Sequence, residues 1–89
     1  MVLTRLLLDV AKPVGEYNII DLAKDLSKYV SGGTVFIKVE EVDIRTEALK
    51  IVIEGKKINF EGVNSAIKDR GAVINSLDEV TISSNGKKK

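Results

Sequence analysis

The sequence predicts an α+β sandwich in which two helices cover one face of a four-stranded antiparallel sheet. Three observations carry this. Between residues 34 and 55 two alternating apolar runs flank the polar connection Asp43-Ile44-Arg45-Thr46-Glu47. Val35, Ile37 and Val39 fall on one side of the first run, and Leu49, Ile51 and Ile53 on one side of the second, the period of two of a half-buried β-hairpin. On either side of this hairpin lies a segment whose apolar residues recur at three and four, the helical period. An alternating, strand-like stretch opens the chain and another closes it. The resulting order, βαββαβ, is that of the ferredoxin-like fold. The right-handed crossover rule then puts the first and third strands at the centre and the second and fourth at the edges.

The first strand is predicted over residues 2–10, with Thr4, Leu6, Leu8 and Val10 on one side and Leu3, Arg5, Leu7 and Asp9 on the other. Lys12-Pro13 should end it, because proline has no N–H for the ladder. A helix over residues 17–30 would bury Ile19, Leu22, Ala23, Leu26, Tyr29 and Val30, with Ser31-Gly32-Gly33 as its stop. After the hairpin, Asn59 is a good N-cap for a second helix over residues 60–70 that buries Phe60, Val63, Ala66 and Ile67. Gly62 inside it should cost about 1 kcal/mol relative to alanine. Gly71 closes the helix, and residues 72–82 form a last strand interrupted at Ser76-Leu77-Asp78-Glu79. Residues 1–83 thus read as a single domain, with 84–89 a polar, mobile tail ending in Lys87-Lys88-Lys89.

Composition narrows the chemistry. A domain of 89 residues buries only about 60–65% of its unfolded surface, so association with another molecule would help its stability. With 30% charged residues and a net charge of +1, both signs are interspersed, which argues against a generally basic nucleic-acid binder. The absence of Cys and His removes disulfides, thiolate sites, the commonest zinc ligand and the commonest general base. No run approaches the roughly 18 apolar residues of a membrane span, so a cytoplasmic protein is expected. Abundant Lys, Glu, Ile and Val suit a thermophile.

Two surface features follow from the predicted topology. One sheet face lacks helical cover and would carry Leu3, Arg5, Leu7 and Asp9, Phe36 and Val42, Lys50, Val52 and Glu54, and Val73, Asn75 and Leu77. Its apolar members Leu3, Leu7, Phe36, Val42, Val52 and Leu77 are candidates for a subunit interface. The strand order also gathers Asp9, Glu40, Glu41, Asp43 and Glu47 at one end, opposite Lys28, Lys56, Lys57 and the lysine tail. Such polarity suits head-to-tail contacts of the kind that close rings.

Leu8-Asp9-Val10-Ala11-Lys12-Pro13, Glu41-Val42-Asp43 with Thr46-Glu47, Ile53-Glu54-Gly55 and residues 71–80, Gly-Ala-Val-Ile-Asn-Ser-Leu-Asp-Glu-Val, together resemble a small archaeal family, domain-of-unknown-function family 211. The resemblance spans nearly the whole chain. It implies a ferredoxin-like fold and a homo-oligomer, and no established activity. In that family a histidine commonly follows the Lys-Pro pair and another precedes the Ser-x-Asp-Glu-Val segment; here those positions are Val14 and Asn75. An Asp with two His would suit a transition metal, whereas Asp9 beside Val14 and Asn75 leaves only hard, oxygen-seeking cations such as calcium or magnesium. Asp9, Glu41 and Asp43 are the candidate ligands, against the alternative that they are solvated or paired with Lys12, Arg45 and Arg70.

No paired-carboxylate motif, activated nucleophile or glycine-rich phosphate loop is present, so the expectation is a non-enzymatic domain. It would associate with itself, in a regulatory or scaffolding role, and bind a small ligand or hard cation between subunits. The alternative is a non-specific nucleic-acid-binding module using the open face with Lys56, Lys57, Lys87, Lys88 and Lys89. The central strands lack the aromatic side chains that base stacking requires.

Overall fold

The computed structural model describes residues 1–84, and Lys87, Lys88 and Lys89 lie outside the described residues. Strand β1 (Val2–Pro13) leads into helix α1 (Ile19–Ser27), a short strand β2 (Val30–Ser31), and the hairpin of β3 (Thr34–Val42) and β4 (Thr46–Glu54). A second short strand β5 (Lys57–Ile58), helix α2 (Phe60–Asp69) and strand β6 (Val73–Ser83) complete the order. The main sheet is antiparallel throughout and ordered β3-β4-β1-β6, so β1 and β4 are central, as the crossover rule requires. This is a ferredoxin-like arrangement.

One core joins the layers. Leu6, Leu8 and Val10 of β1 and Leu49, Ile51 and Ile53 of β4 meet Leu22 and Leu26 of α1 and Val63, Ala66 and Ile67 of α2. Each helix therefore turns its apolar stripe to the same sheet face. Asn18 starts α1 through a reciprocal capping box with Asp21, and Asn59 starts α2 by accepting from the Gly62 amide. Gly71, at φ +76°, makes the left-handed exit from α2 toward β6.

Several expected boundaries move, each for a local reason. Helix α1 covers Ile19–Ser27 rather than residues 17–30: Asn18 caps its start and Lys28 its end, and Val30 and Ser31 pair with Ile58 and Lys57 in a small second sheet that the hydrophobic period does not reveal. Gly32 and Gly33 are consequently the turn between β2 and β3, not a helix cap. Strand β1 runs on through Pro13, which pairs with Thr46 at the strand's last position, where its missing N–H interrupts no further ladder. Strand β6 is not interrupted at residues 76–79; it absorbs that stretch as bulges.

Those bulges change which residues share a face. Extra residues at Thr4 of β1, Glu40 of β3, and Asn75 and Asp78 of β6 each reset the alternation. Leu77 pairs with the buried Leu8, and Val42 pairs with Glu47, which reaches the buried Lys12, so both belong to the helix side. Leu3 packs against the core. These three were expected on the open face, and simple parity misplaced them because it assumes an unbroken period of two.

Candidate functional site

The open face is built on three cross-strand rows. Arg5 stands opposite Glu54, Leu7 opposite Val52 and Asp9 opposite Lys50, with Thr34, Phe36 and Lys38 of β3 completing the rows. On β6, Glu79 lies opposite Leu7 and Val73 opposite Ala11. Arg5 ties the face together, donating to Glu54 on one side and to Glu79 at 3.2 Å on the other. Its guanidinium is held above its ordinary pKa, first by Glu54 and then by Glu79. Lys50 meets Glu40 at 3.5 Å. Beside these polar ties, Leu7 and Val52 are half-buried, and Phe36 and Val73 are 53% and 58% exposed. Of the six interface candidates, the structure thus brings Leu7, Phe36 and Val52 together on this face.

Exposed apolar groups are not confined to it. Val80, Ile82 and Leu77 along β6 are 53%, 52% and 49% exposed, although Leu77 and Val80 pair with the buried Leu8 and Leu6. Helices of nine and ten residues span only about 14–15 Å, whereas the molecule extends 48 Å along its long axis. The sheet therefore outruns its cover, and an edge strand is covered least. Val42 and Ile44 at the hairpin end, 63% and 93% exposed, are uncovered for the same reason.

The cation candidates do not converge. Asp9 faces Lys50 on one side and Ser76 on the other, while Glu41 sits opposite Ala48 on a different strand. Asp43 works within the hairpin: its Oδ1 accepts from the amides of Arg45 and Thr46 at 2.9 and 3.0 Å. Those bonds, with Thr46 the larger cause, hold its pKa below the usual carboxylate value. A carboxyl so depressed contributes stability above its unfolded pKa of about 3.9 that is lost as pH falls through the lower native value. Asp43→Ala should therefore loosen the tip and flatten the acid limb of a thermal-stability profile, seen as faster amide exchange at Arg45 and Thr46. Unchanged exchange there would show that the carboxylate does not hold the turn. Asn75 is the bulged residue beside the Asp9–Ser76 pair, and Val14 binds the Arg45 carbonyl through its amide at 2.9 Å. Among the described residues, no three His, Cys, Asp or Glu side chains are grouped to hold a metal ion.

One polar cluster went unrecognised in the sequence. Lys12 is 1% exposed, donating to the Pro13 carbonyl at 2.9 Å and meeting Glu47 at 3.4 Å, with its ammonium 4.6 Å from the Tyr17 ring centre. Arg70 approaches the same ring at 4.8 Å and donates to Asp25 at 2.7 Å, which pulls the Asp25 pKa down. The Tyr17 hydroxyl is buried without a hydrogen-bond partner, and burial pushes its pKa up. A recess of about 490 Å³ opens beside it between Pro13, Glu16, Tyr17 and Arg70. Both cations there are already paired, so the cluster clamps the β1–α1 loop against α2. The signal was Lys12's place in the inward row Leu6, Leu8, Val10. Lys57 is exposed on the small second sheet and Lys56 in the bend just before it.

No helix among the described residues is long and apolar enough to cross a membrane. Comparison with known proteins finds a match of residues 4–88 to the model of domain-of-unknown-function family 211, described as "Uncharacterized ArCR". A protein of Methanocaldococcus jannaschii, itself described as uncharacterized, is 38% identical over 76 residues, covering 85% of this chain and 77% of the relative.

Proposed function

The chain belongs to domain-of-unknown-function family 211, whose description assigns no activity, and we propose that it is a non-enzymatic domain that works as a homo-oligomer in a scaffolding or regulatory role. One observation carries this reading: the large apolar groups left uncovered lie mainly on the sheet, in Phe36 and Val73 of the open face and Leu77, Val80 and Ile82 of the β6 edge. Apolar surface exposed on a sheet face and along its edge marks contact sites, and a domain of this size gains stability by covering it. A second copy meets that surface, with Leu7, Phe36 and Val52 on the open face as its anchors. Any calcium or magnesium would be held by carboxylates from more than one copy, because Asp9, Glu41 and Asp43 stand apart within one.

Leu7→Lys tests the contribution of the open face. Glu79 lies directly opposite the position on this face, so the added charge meets a carboxylate in a single copy and leaves the core undisturbed. The variant should fold and give an assembly of lower mass in sedimentation. A folded variant with the unaltered mass would take the open face out of the interface and leave the sheet edges.

A further inference from the structure

We propose that copies of this chain join head to tail through their two sheet edges, β6 of one copy adding antiparallel to β3 of the next; this rests on the self-association proposed above. The topology permits it. Strands β3 and β6 are the outer members of the order β3-β4-β1-β6, and each neighbouring pair is antiparallel, so β3 and β6 run in opposite directions. A second copy displaced sideways therefore continues the sheet without breaking its alternation, and both edges otherwise present unpaired N–H and C=O groups.

Charge selects this pairing over the alternatives. Lys38 is the middle residue of β3 (Thr34–Val42) and Asp78 the middle residue of β6 (Val73–Ser83), with Glu79 beside it. Two β6 edges in full overlap would set Asp78 against Asp78, and two β3 edges would set Lys38 against Lys38. Like charges directly opposite one another are destabilising across strands. In full overlap, only the unlike edges bring the lysine of one to the carboxylates of the other. Among the described residues Lys38 has no ion-pair partner and faces Lys50, which Glu40 holds. Glu79 uses one carboxylate oxygen on Arg5.

A single register also matches the side chains. Lys38 and Glu79 both lie on the open face, since Lys38 is opposite Lys50 and Glu79 opposite Leu7. Setting these two against each other brings Ile37 to Val80 and Val35 to Ile82 on the helix side, where Ile37 and Val35 are opposite the buried Ile51 and Ile53. The half-exposed Val80 and Ile82 would then extend the core across the boundary. The paired segments, 34–38 and 79–83, avoid the bulges at Glu40, Asn75 and Asp78. A slip of two residues puts Lys38 against Thr81 or Leu77, and a slip of one exchanges the faces. Contacts of this heterologous kind give a ring if the rotation closes and an open row of copies if it does not.

The chain has no cysteine, so engineered cysteines report directly on the contact. Two pairs are used, Ile37→Cys with Val80→Cys and Lys38→Cys with Glu79→Cys. Successive antiparallel pairs alternate between wide and close spacing, so one of the two has the geometry for a disulfide. Within one copy β4 and β1 separate these positions by roughly 14 Å, beyond the ~7 Å that a disulfide spans, so any bond joins two copies. Oxidising a mixture of the two single variants of a pair should give a crosslinked dimer that neither gives alone, and the double variant a ladder of higher species. Val80→Cys or Glu79→Cys crosslinking with itself would replace the proposal by a two-fold β6 edge. Absence of crosslinks in both pairs, with the unaltered chain oligomeric by native mass, would overturn edge pairing and leave self-association standing. Absence of crosslinks with a monomeric chain would overturn both.

Discussion

Gly33→Ala should cost about 3 kcal/mol, at the upper end of what overpacking usually costs. A Cβ at this position would fall on the carbonyl oxygen of Glu54 and the Cα of Gly55. Both are backbone, so no side chain can swing aside to make room. The contact is where the turn after β2 crosses the end of β4, just before β3 begins its pairing with Thr34 opposite Glu54. Relief would require the two segments to part, shifting the start of β3. For a domain of this size the loss corresponds to a melting temperature lower by roughly 12–24 °C, measurable by calorimetry or circular dichroism. A change within a few degrees would mean that this close approach is not fixed in solution.

Glu47→Ala should cost about 2 kcal/mol, below the ~3–5 kcal/mol of a fully buried pair because the Glu47 side chain is 22% exposed. The loss is that of leaving the buried Lys12 ammonium with only the Pro13 carbonyl and the Tyr17 ring. Lys12→Met removes the buried charge instead, keeps most of the volume, and leaves Glu47 able to reach water; it should change stability by less than about 1 kcal/mol. Urea unfolding of both variants decides the matter through the midpoint at constant slope. Equal losses would mean that leaving the Lys12 ammonium without Glu47 carries no penalty beyond loss of the pair itself, contradicting the account of an orphaned buried charge.

The elements were legible because their periods are clean. Leu6-Leu8-Val10 and Leu49-Ile51-Ile53 alternate, Leu22-Leu26 and Val63-Ala66-Ile67 repeat at helical spacing, and Asn59 stands where a cap belongs, whereas Asn18, the cap of α1, was read as lying within the helix. The faces at the sheet's margins were less so. A bulge at Asp78 sends Leu77 to the helix side, and no side-chain pattern announces it, because the extra residue is set by pairing between strands distant in sequence. The pairing of Val30 with Ile58 escaped for a related reason: two-residue strands are too short to show a period. Gly62 was read as a cost to helix α2, yet a Cβ there would strike the Tyr29 ring, so the glycine is what lets the chain after α1 pack against α2. Lys12 was missed because Pro13 was taken as the strand's end, although the inward row continues through it to a buried position. The surface candidates were half legible: Leu7, Phe36 and Val52 share the open face, while the β6 edge gains its importance from helices shorter than the strands beneath them.

The most direct test of self-association is native mass spectrometry of the purified chain before and after removal of divalent cations. The account predicts a closed or extended oligomer of integral subunit number. Small adducts that disappear with the cations would place hard-cation sites between copies. A clean monomer under both conditions, at concentrations well above the micromolar range, would contradict it, because the exposed apolar edge of β6 and the open face would then be stable in water without a second copy.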